Sequence, residues 1–508
     1  MTAPLPLARR VTGLPGRIPM TRLVALALGV LVLYSLLLDA LGWTEFGMLP
    51  LLAHLGQCLA ATLVGTALCA LLFRLRPYWD SSLVTAGLLY FLFWPATSAR
   101  EAWGVILAGL LASASKYALA WRGRHLFNPA ALGAFVVSLT GLNAATWWVG
   151  SPPLLWAVIP LGLLVLYRAG QFPVALTFLA LSFVTAEAVA AVRGLSVTDV
   201  PALWFAGQAT VFFACFMMSE PLTLPPRRLQ RVLVGAVTGV LFSLPLSLAL
   251  GPVILTNAPE AVLLVGNLLA FALRPRQSAT MAFLGSREVA PGVREFSFHT
   301  VAGARTAPGQ YVELTLPVPG LLTARRVFSP VTAGDGVLRI ATRIPASPSP
   351  AKQALLTLPV GALIQSSRAA GDFVLPSPPR PLLLAAGGIG VTPFVALTGA
   401  DGAGASDTVL LYSARSLEDA AYLDELAASG ARVLLRTSAP LPEDAVLPDG
   451  VEHVGTERLT AARVTELVPD AARRLGMVAG TPDFVRDLKK TLRGAGVRKV
   501  KKDSFLGY

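Results

Sequence analysis

Apolar residues dominate the chain up to Arg276, and beyond it the pattern gives way to short stretches in which apolar and polar positions alternate. A helix needs about 20 consecutive apolar residues to cross the hydrocarbon of a bilayer. On that measure ten spans are predicted, near residues 23–42, 50–73, 83–98, 102–119, 129–149, 152–168, 172–192, 201–219, 230–250 and 258–273. Two regions are interrupted: KYALAWRGRHLFN runs from Lys116 to Asn128, and Glu220 precedes PLTLPP. Broken, polar stretches at membrane depth usually line a site rather than face lipid.

From about Phe283 the period becomes two, as in REFSFHTV and QYVELTLPV, with Gly and Pro turns between the runs. That pattern predicts an antiparallel barrel. After GDFVLP (Gly371 to Pro376) comes an all-apolar strand, PLLLAA, then glycines, then strands alternating with helices, which predicts a parallel α/β domain. The expected organisation is a membrane α-helical bundle over residues 1–276, a β-barrel over 277–378 and an α/β domain over 379–508.

Composition sharpens this division. The 508 residues are 54% hydrophobic and 14% charged, with a mean hydropathy of +0.63, too apolar for one soluble domain. The net charge is +13, and residues 1–276 hold 17 Lys and Arg against 8 Asp and Glu, a local +9 that leaves +4 for the rest. The basicity therefore belongs mostly to the membrane part, where topology explains it better than nucleic acid does. Ten spans would put fifteen basic residues of this part on one side of the bilayer and only Arg100 and Arg193 on the other. Basic loops stay in the cytoplasm, so both termini and the soluble half are expected there, in a multi-pass protein of the cell membrane. No signal peptide is expected, because the first apolar run is long and many more follow. Cys58, Cys69 and Cys215 all lie in apolar runs without metal-type spacing, so neither a disulfide framework nor a metal site is expected.

AAGGIGVTP (Ala385 to Pro393) follows a buried strand and leads towards a helix. Glycines there let backbone approach a pyrophosphate, and amides at the helix start hydrogen-bond its charge; an ordinary tight turn is the alternative. RRVFSP (Arg325 to Pro330) sets an arginine, an aromatic ring and a hydroxyl close together on a strand. Arginine can clamp a phosphate, the ring can pack on a flavin and the serine can bond its polar edge; a salt-bridged arginine beside a core phenylalanine is the alternative.

PGQY (Pro308 to Tyr311), RVFS, GDFVLP, GGIGVTP, LYSAR (Leu411 to Arg415), AGTP (Ala479 to Pro482) and SFLGY resemble, in matching order, the ferredoxin-NADP reductase superfamily. The resemblance implies a barrel that binds FAD and an α/β domain that binds NADH or NADPH. It assigns Tyr311, Arg326, Phe328 and Ser329 to FAD, and Gly387, Gly388, Gly390, Thr392, Pro393, Arg415, Gly480, Thr481 and Pro482 to the dinucleotide. Phe505 or Tyr508 would cover the isoalloxazine, and these two with Ser329 are the expected catalytic group. Two departures stand out. The Gly-x-x-Ser phosphate element of the family is replaced by SPSPAKQALLTLPVG, and its Cys-Gly-x-Pro by AGTP. Arg415 suits a 2′-phosphate or an adenine ring, which leaves NADH or NADPH open.

In the membrane half, WDSSLVTAGLL (Trp79 to Leu89), KYALAWRGRHLFNPAALG, FMMSEPLTLPP and NAPEAVLLVGN (Asn257 to Asn267) are similar to the family of the Rnf complex D subunit and the B subunit of sodium-pumping NADH:quinone reductase. That resemblance implies a second flavin, FMN or riboflavin. The threonine motif that attaches FMN covalently is absent, since only GLNAATWWVGSPP occupies the equivalent place, so a non-covalent flavin is expected. Thr85, Lys116, Arg124, Asn128, Pro129, Glu220, Pro221 and Thr223 are the residues expected to contact this flavin or a quinone; a helix cap, an interfacial acid and topology markers are the plainer alternatives. Paired haem ligands are not expected, because of His54, His125, His299 and His453 only His54 lies well within a span.

The reading that joins the halves is a flavin oxidoreductase carrying electrons from NAD(P)H through FAD and the membrane flavin to an extracytoplasmic acceptor such as a flavoprotein. A quinone reductase acting within the bilayer and coupled to an ion is the second reading. A transporter or scaffold with a regulatory reductase domain is the third.

Overall fold

The computed structural model describes residues 20–74, 77–121, 124–225, 227–250, 253–256, 258–273, 278–300, 307–318, 323–332, 336–367, 369–399 and 407–505. The chain divides into two compact units, Met1–Gln277 and Ser278–Tyr508.

Helices of the first unit span Met20–Ala40, Met48–Leu72, Trp79–Leu92, Ala99–Ala118, Pro129–Thr140, Pro152–Ala169, Phe172–Val192, Val200–Ala206, Thr210–Phe212 running into a π-helical turn at Phe213–Met217, Arg228–Ser243 and Pro259–Ala272. Two hairpins interrupt them, β1 (Ala120–Trp121) with β2 (Arg124–His125), and β3 (Ser247–Leu250) with β4 (Val253–Thr256). One order of elements occurs twice. Each half has two long helices, a short or broken helical stretch, another helix, a hairpin, and a short helix opened by proline. Small residues bring helices close in both halves. A Cβ on Gly109 would stand 2.6 Å from the Ala61 side chain, and one on Gly235 would stand 2.6 Å from the Val174 carbonyl oxygen.

The ten-span count is corrected by this structure. Among the described residues four helices are long and apolar enough to cross a membrane: Met20–Ala40, Met48–Leu72, Pro152–Ala169 and Phe172–Val192. The predicted span 83–98 is the 14-residue helix Trp79–Leu92, which ends before Pro95, and 129–149 is the 12-residue helix Pro129–Thr140, closed by a left-handed Gly141. At about 1.5 Å per residue neither covers about 30 Å of hydrocarbon. The region 201–219 is broken at Gly207 and Ala209, and 230–250 ends at Ser243 before a hairpin. Hydropathy read through these breaks because the residues around them are themselves apolar.

In the second unit the barrel strands are β5 (Ser278–Ala290), β6 (Val293–Thr300), β7 (Val312–Pro317), β8 (Thr323–Phe328), β9 (Val337–Arg343) and β10 (Leu363–Ser367), in the order β8-β7-β10-β5-β6-β9. All pairs are antiparallel, and a bridge from Pro330 to Ile340 joins the two edges. Alternate residues such as Phe283, Phe296, Phe298, Leu314 and Ile340 fill the interior, with the helix Pro350–Leu356 packed on it.

The α/β part has strands β11 (Leu382–Gly387), β12 (Thr408–Ala414), β13 (Arg432–Thr437), β14 (Val451–His453), β15 (Leu475–Gly480) and β16 (Val500–Ser504). They form one parallel sheet in the order β14-β13-β12-β11-β15-β16. The order runs outward from β11 and then reverses to β15. That reversal leaves a crevice beyond the carboxyl ends of β11 and β15, where open α/β sheets bind ligands. The Tyr422 hydroxyl donates to buried Glu295 of β6 (2.9 Å) and Arg339 of β9 pairs with Glu425 (3.1 Å), which hold the barrel against the α/β part.

Candidate functional site

The glycine segment sits where the strand order reverses. β11 ends at Gly387, a tight turn covers Gly388–Val391, and the helix Thr392–Gly399 follows. A Cβ on Gly390 would lie 2.5 Å from the Ala479 carbonyl oxygen and 2.6 Å from the Gly480 Cα, so only glycine lets the two loops close on each other. Gly480 has φ +155, a conformation side chains rarely take, and Thr481 then caps the helix Pro482–Gly494 by accepting from the Phe484 amide. Thr392 is buried with its hydroxyl on the Ile389 carbonyl (3.3 Å), and Pro393 is buried beside it. The structure thus gathers Gly387, Gly388, Gly390, Thr392, Pro393, Gly480, Thr481 and Pro482 at one crevice.

The RVFS segment meets the same crevice from the barrel. Ser329 Oγ donates to Asp503 Oδ2 (3.1 Å), and the next element, Phe505, sends its amide to the Gly480 carbonyl (2.8 Å). Phe505 is half-buried against the cluster that includes Ala479 and Phe394. Burial pushes the Asp503 carboxyl up to about 6, against the Ser329 hydrogen bond and the Ser504 amide that pull it down. Of the expected catalytic group Ser329, Phe505 and Tyr508, Ser329 thus bonds an acid two residues before Phe505 that motif reading passed over; its one signal was the aspartate opening DSFLGY. Tyr508 lies outside the described residues.

Arg326 and Phe328 alternate on β8, across from Leu314 and Val312, and Phe328 packs half-buried on the barrel core. Lys352 on the adjoining helix is half-buried, and burial together with the Arg326 charge lowers its pKa. Ser349, which caps that helix, has a buried Oγ with no hydrogen-bond partner. Two like charges and an unpaired buried hydroxyl are what an anion would satisfy. Tyr311 pairs with Ala370, and its ring lies 3.0 Å from where a Cβ on Gly371 would stand. Arg415 forks onto Asp419, with Nε to Oδ2 at 3.1 Å and Nη2 to Oδ1 at 3.3 Å.

In the first unit the residues singled out from sequence form a polar cluster built across distant segments. Glu220 Oε1 meets His125 Nε2 (2.9 Å), Glu220 Oε2 accepts from Asn128 Nδ2 (3.0 Å), and the Asn128 amide donates to Asn267 Oδ1 (2.8 Å). Asn128 also caps the helix Pro129–Thr140 through the Ala131 amide (3.1 Å), with Pro129 at its first turn. Thr223 donates to the Glu220 carbonyl (3.3 Å) across Pro221. Lys116 and Thr85 stand apart from these bonds and both donate to the Ser81 carbonyl, at 3.0 and 2.9 Å. Arg124 lies on β2. A second buried acid, Glu260, accepts from Trp147 Nε1 (2.9 Å). His125, Asn267 and Glu260 were not named individually as site residues, although their segments RGRHLFNP and NAPEAVLLVGN were, because no local motif connects them to their partners.

No protein-family model matches the chain. It is 28% identical over 197 residues to a flavohemoprotein of Pseudomonas putida, a match that covers 38% of this chain and 49% of that protein. The chain thus spans about half the length of the curated relative it matches. The C-terminal half resembles flavohemoprotein and ferredoxin-NADP reductase domains that bind FAD and NAD. Among solved structures, the ferredoxin NADP+ reductase of Neisseria gonorrhoeae with bound FAD and NADP is 19% identical at TM-score 0.37, covering 46% of this chain and 99% of that one. The flavohemoglobin of Malassezia yamatoensis with bound FAD and heme is 20% identical at TM-score 0.40, covering 70% and 98%. At such identities and scores these two are likenesses and nothing more.

The residues present fit both groups that the resemblance implies. Ser349 offers an unpaired hydroxyl near the cations Lys352 and Arg326, a set whose chemistry suits a pyrophosphate. Gly390 and Gly480 pack the two loops together, and Gly388, with open space where a Cβ would stand, leaves backbone accessible for a dinucleotide.

Proposed function

We propose that the protein is an NAD(P)H-dependent flavin oxidoreductase of the cell membrane, with its nucleotide site and both termini in the cytoplasm. The single observation that carries this reading is the meeting of Ser329, Asp503 and the Gly480 loop at the carboxyl ends of β11 and β15. FAD, when bound, supplies an acceptor that takes two electrons from a dinucleotide and releases them singly. The chain's own groups do the rest. Arg326, Lys352 and Ser349 hold the pyrophosphate of FAD; Gly387 and Gly390 let the loops at the sheet end pack closely, and Gly388, with open space where a Cβ would stand, admits the dinucleotide. Ser329 and Asp503 hold a proton beside the reacting rings, since the Asp503 carboxyl exchanges near pH 6. Half-buried Phe505 covers the crevice and keeps water out.

The first unit would carry those electrons onward. A hydrocarbon of about 30 Å is too thick to cross without an intermediate carrier. The cluster of Glu220, His125, Asn128 and Asn267 supports a non-covalent FMN or riboflavin held there, because polar groups at membrane depth are costly unless used. The acceptor is then an extracytoplasmic flavoprotein or similar carrier. The imidazole–carboxylate contact of His125 and Glu220 favours a second reading, reduction of a quinone in the bilayer, since such a pair can deliver the protons that a reduced quinone takes up.

Flavin extraction from detergent-solubilised protein, with and without denaturation, separates these readings. Two flavins per chain is the expected result. One flavin with quinone-dependent NAD(P)H oxidation would favour the quinone, and colourless protein would overturn both.

A further inference from the structure

Charge is spread unevenly over the second unit. Residues 278–508 hold 25 Lys and Arg against 21 Asp and Glu, a net +4. The 15 residues from Leu488 to Lys502 hold seven of those cations and no acid, so the remainder carries 18 against 21, a net −3. The seven occupy the end of the helix Pro482–Gly494, the turn after it and the edge strand β16. That helix packs on β15 and β16, which makes the three pieces one continuous border of the sheet. Lys501 turns inward and donates to the Asp372 and Val374 carbonyls, at 3.3 and 2.7 Å. Of the other six, Lys490, Arg493, Arg498, Lys499 and Lys502 are exposed and Lys489 is half-buried.

Among the described residues none of these six forms an ion pair. Exposed cations elsewhere in the unit are answered: Arg432 by Glu452 (2.8 Å), Arg463 by Glu466, and Arg486 by Asp483 (2.9 Å). Plainer reasons cover part of the set, since cations in a last turn suit the helix dipole and lysines on an edge strand discourage pairing with another sheet. Neither reason clears acids from the whole stretch or puts unpaired Arg498 in the turn. Nucleic acid is a poor fit, because stacking needs exposed rings and the flanking Phe484 and Phe505 are both half-buried. About four to eight clustered cations are what an anionic leaflet attracts, and a chain with four helices of membrane length has such a leaflet at hand. We propose that Lys489, Lys490, Arg493, Arg498, Lys499 and Lys502 bind anionic lipid headgroups. β16 carries both Lys502 and Asp503, so this contact would hold the flavin crevice at the membrane surface.

Lysine reactivity in lipid nanodiscs tests this with the full chain. One set of discs is phosphatidylcholine alone, the other contains roughly one third phosphatidylglycerol, and lysines are acetylated with an uncharged reagent and read by mass spectrometry. Relative to Lys352, acetylation of Lys490, Lys499 and Lys502 should be at least fivefold slower over the anionic lipid. Salt at about 1 M, where the Debye length is about 3 Å, should abolish the difference. Lys490→Glu, Arg493→Glu, Arg498→Glu and Lys499→Glu combined should abolish it at Lys502 while NADH bleaches flavin in detergent at the unaltered rate. Equal acetylation of the unaltered chain in the two discs would overturn the proposal and point to an acidic protein instead. So would a difference at Lys502 that survives salt or the four substitutions. Should the substituted chain fail to fold, the lipid and salt comparison of the unaltered chain still decides. Both faces of a disc carry the same lipid and no electron transfer is read, so failure here leaves the proposed activity standing.

Discussion

The two candidate sites handle their polar groups in different ways. In the helical unit the polar cluster bonds within itself: Glu220 pairs with His125 and accepts from the Asn128 side chain, the Asn128 backbone amide donates to Asn267 Oδ1, and elsewhere Glu260 accepts from Trp147. In the barrel and sheet unit the site keeps groups in reserve. Ser349 Oγ is buried without a partner, Lys352 faces a like charge, and Gly388 has open space where a Cβ would stand. Where water is excluded a polar cluster is stabilised when its members bond one another, although His54 Nδ1, Gln57 Oε1, Ser151 Oγ and Ser243 Oγ of the same unit are buried without a partner.

Removing one member of the self-satisfied cluster should therefore do the most damage. Glu220→Ala strands His125 and the Asn128 amide, and a loss of at least about 3 kcal/mol is expected, seen as a lower unfolding midpoint in detergent. Glu220→Gln, which keeps an acceptor for Asn128, should lose less. Equal losses would mean that the network is not what holds these segments together.

Gly390→Ala comes next. Its Cβ would meet backbone at 2.5 and 2.6 Å, which cannot turn aside, so the second unit should lose about 2 kcal/mol and its nucleotide-driven flavin bleaching should fall at least tenfold.

Asp503→Asn should act in the reverse sense on stability. Burial raises the folded carboxyl to about 6 from an ordinary value of 3.8, so the acid stabilises the fold below pH 4 and that contribution is lost as pH rises through 6. Above pH 6 the asparagine variant should be more stable by about 1–2 kcal/mol, after allowance for remaining solvent contact, and the gain should vanish near pH 4. Flavin reduction should fall and lose its inflection near pH 6. A variant less stable at pH 8 would show that the Ser329 hydrogen bond outweighs the burial of charge.

Lys352→Ala should have the smallest effect, about 1 kcal/mol in FAD affinity with little change in the apo unfolding midpoint. An unchanged affinity would place the pyrophosphate elsewhere.

The same contrast explains what could be read in the sequence. The barrel, the parallel sheet and the glycine crevice were legible because their signals are local: period two in REFSFHTV, an all-apolar strand, glycines at a strand end. The helical unit withheld more. Its bonds join residues far apart, 95 between His125 and Glu220 and 139 between Asn128 and Asn267, and no motif spans such intervals. Ten spans were expected where four helices are long and apolar enough, because hydropathy averages over breaks such as Pro95 and Gly207 that end a helix without ending its apolar run. Asp503 and Lys352 escaped for a third reason. Each acts through a partner on another strand or helix, and a lone acid or lysine in a strand or helix carries no signal of its own.

The central claim is transfer of reducing equivalents from one face of a bilayer to the other, and vesicles test it most directly. The full chain is reconstituted with its nucleotide site outward and ferricyanide sealed inside, and NADH is added to the outer medium. Each NADH oxidised outside should reduce two ferricyanide ions inside, with bleaching that Gly390→Ala slows at least tenfold. NADH oxidation that proceeds only with acceptor in the outer medium, while the enclosed ferricyanide keeps its colour, would contradict the account.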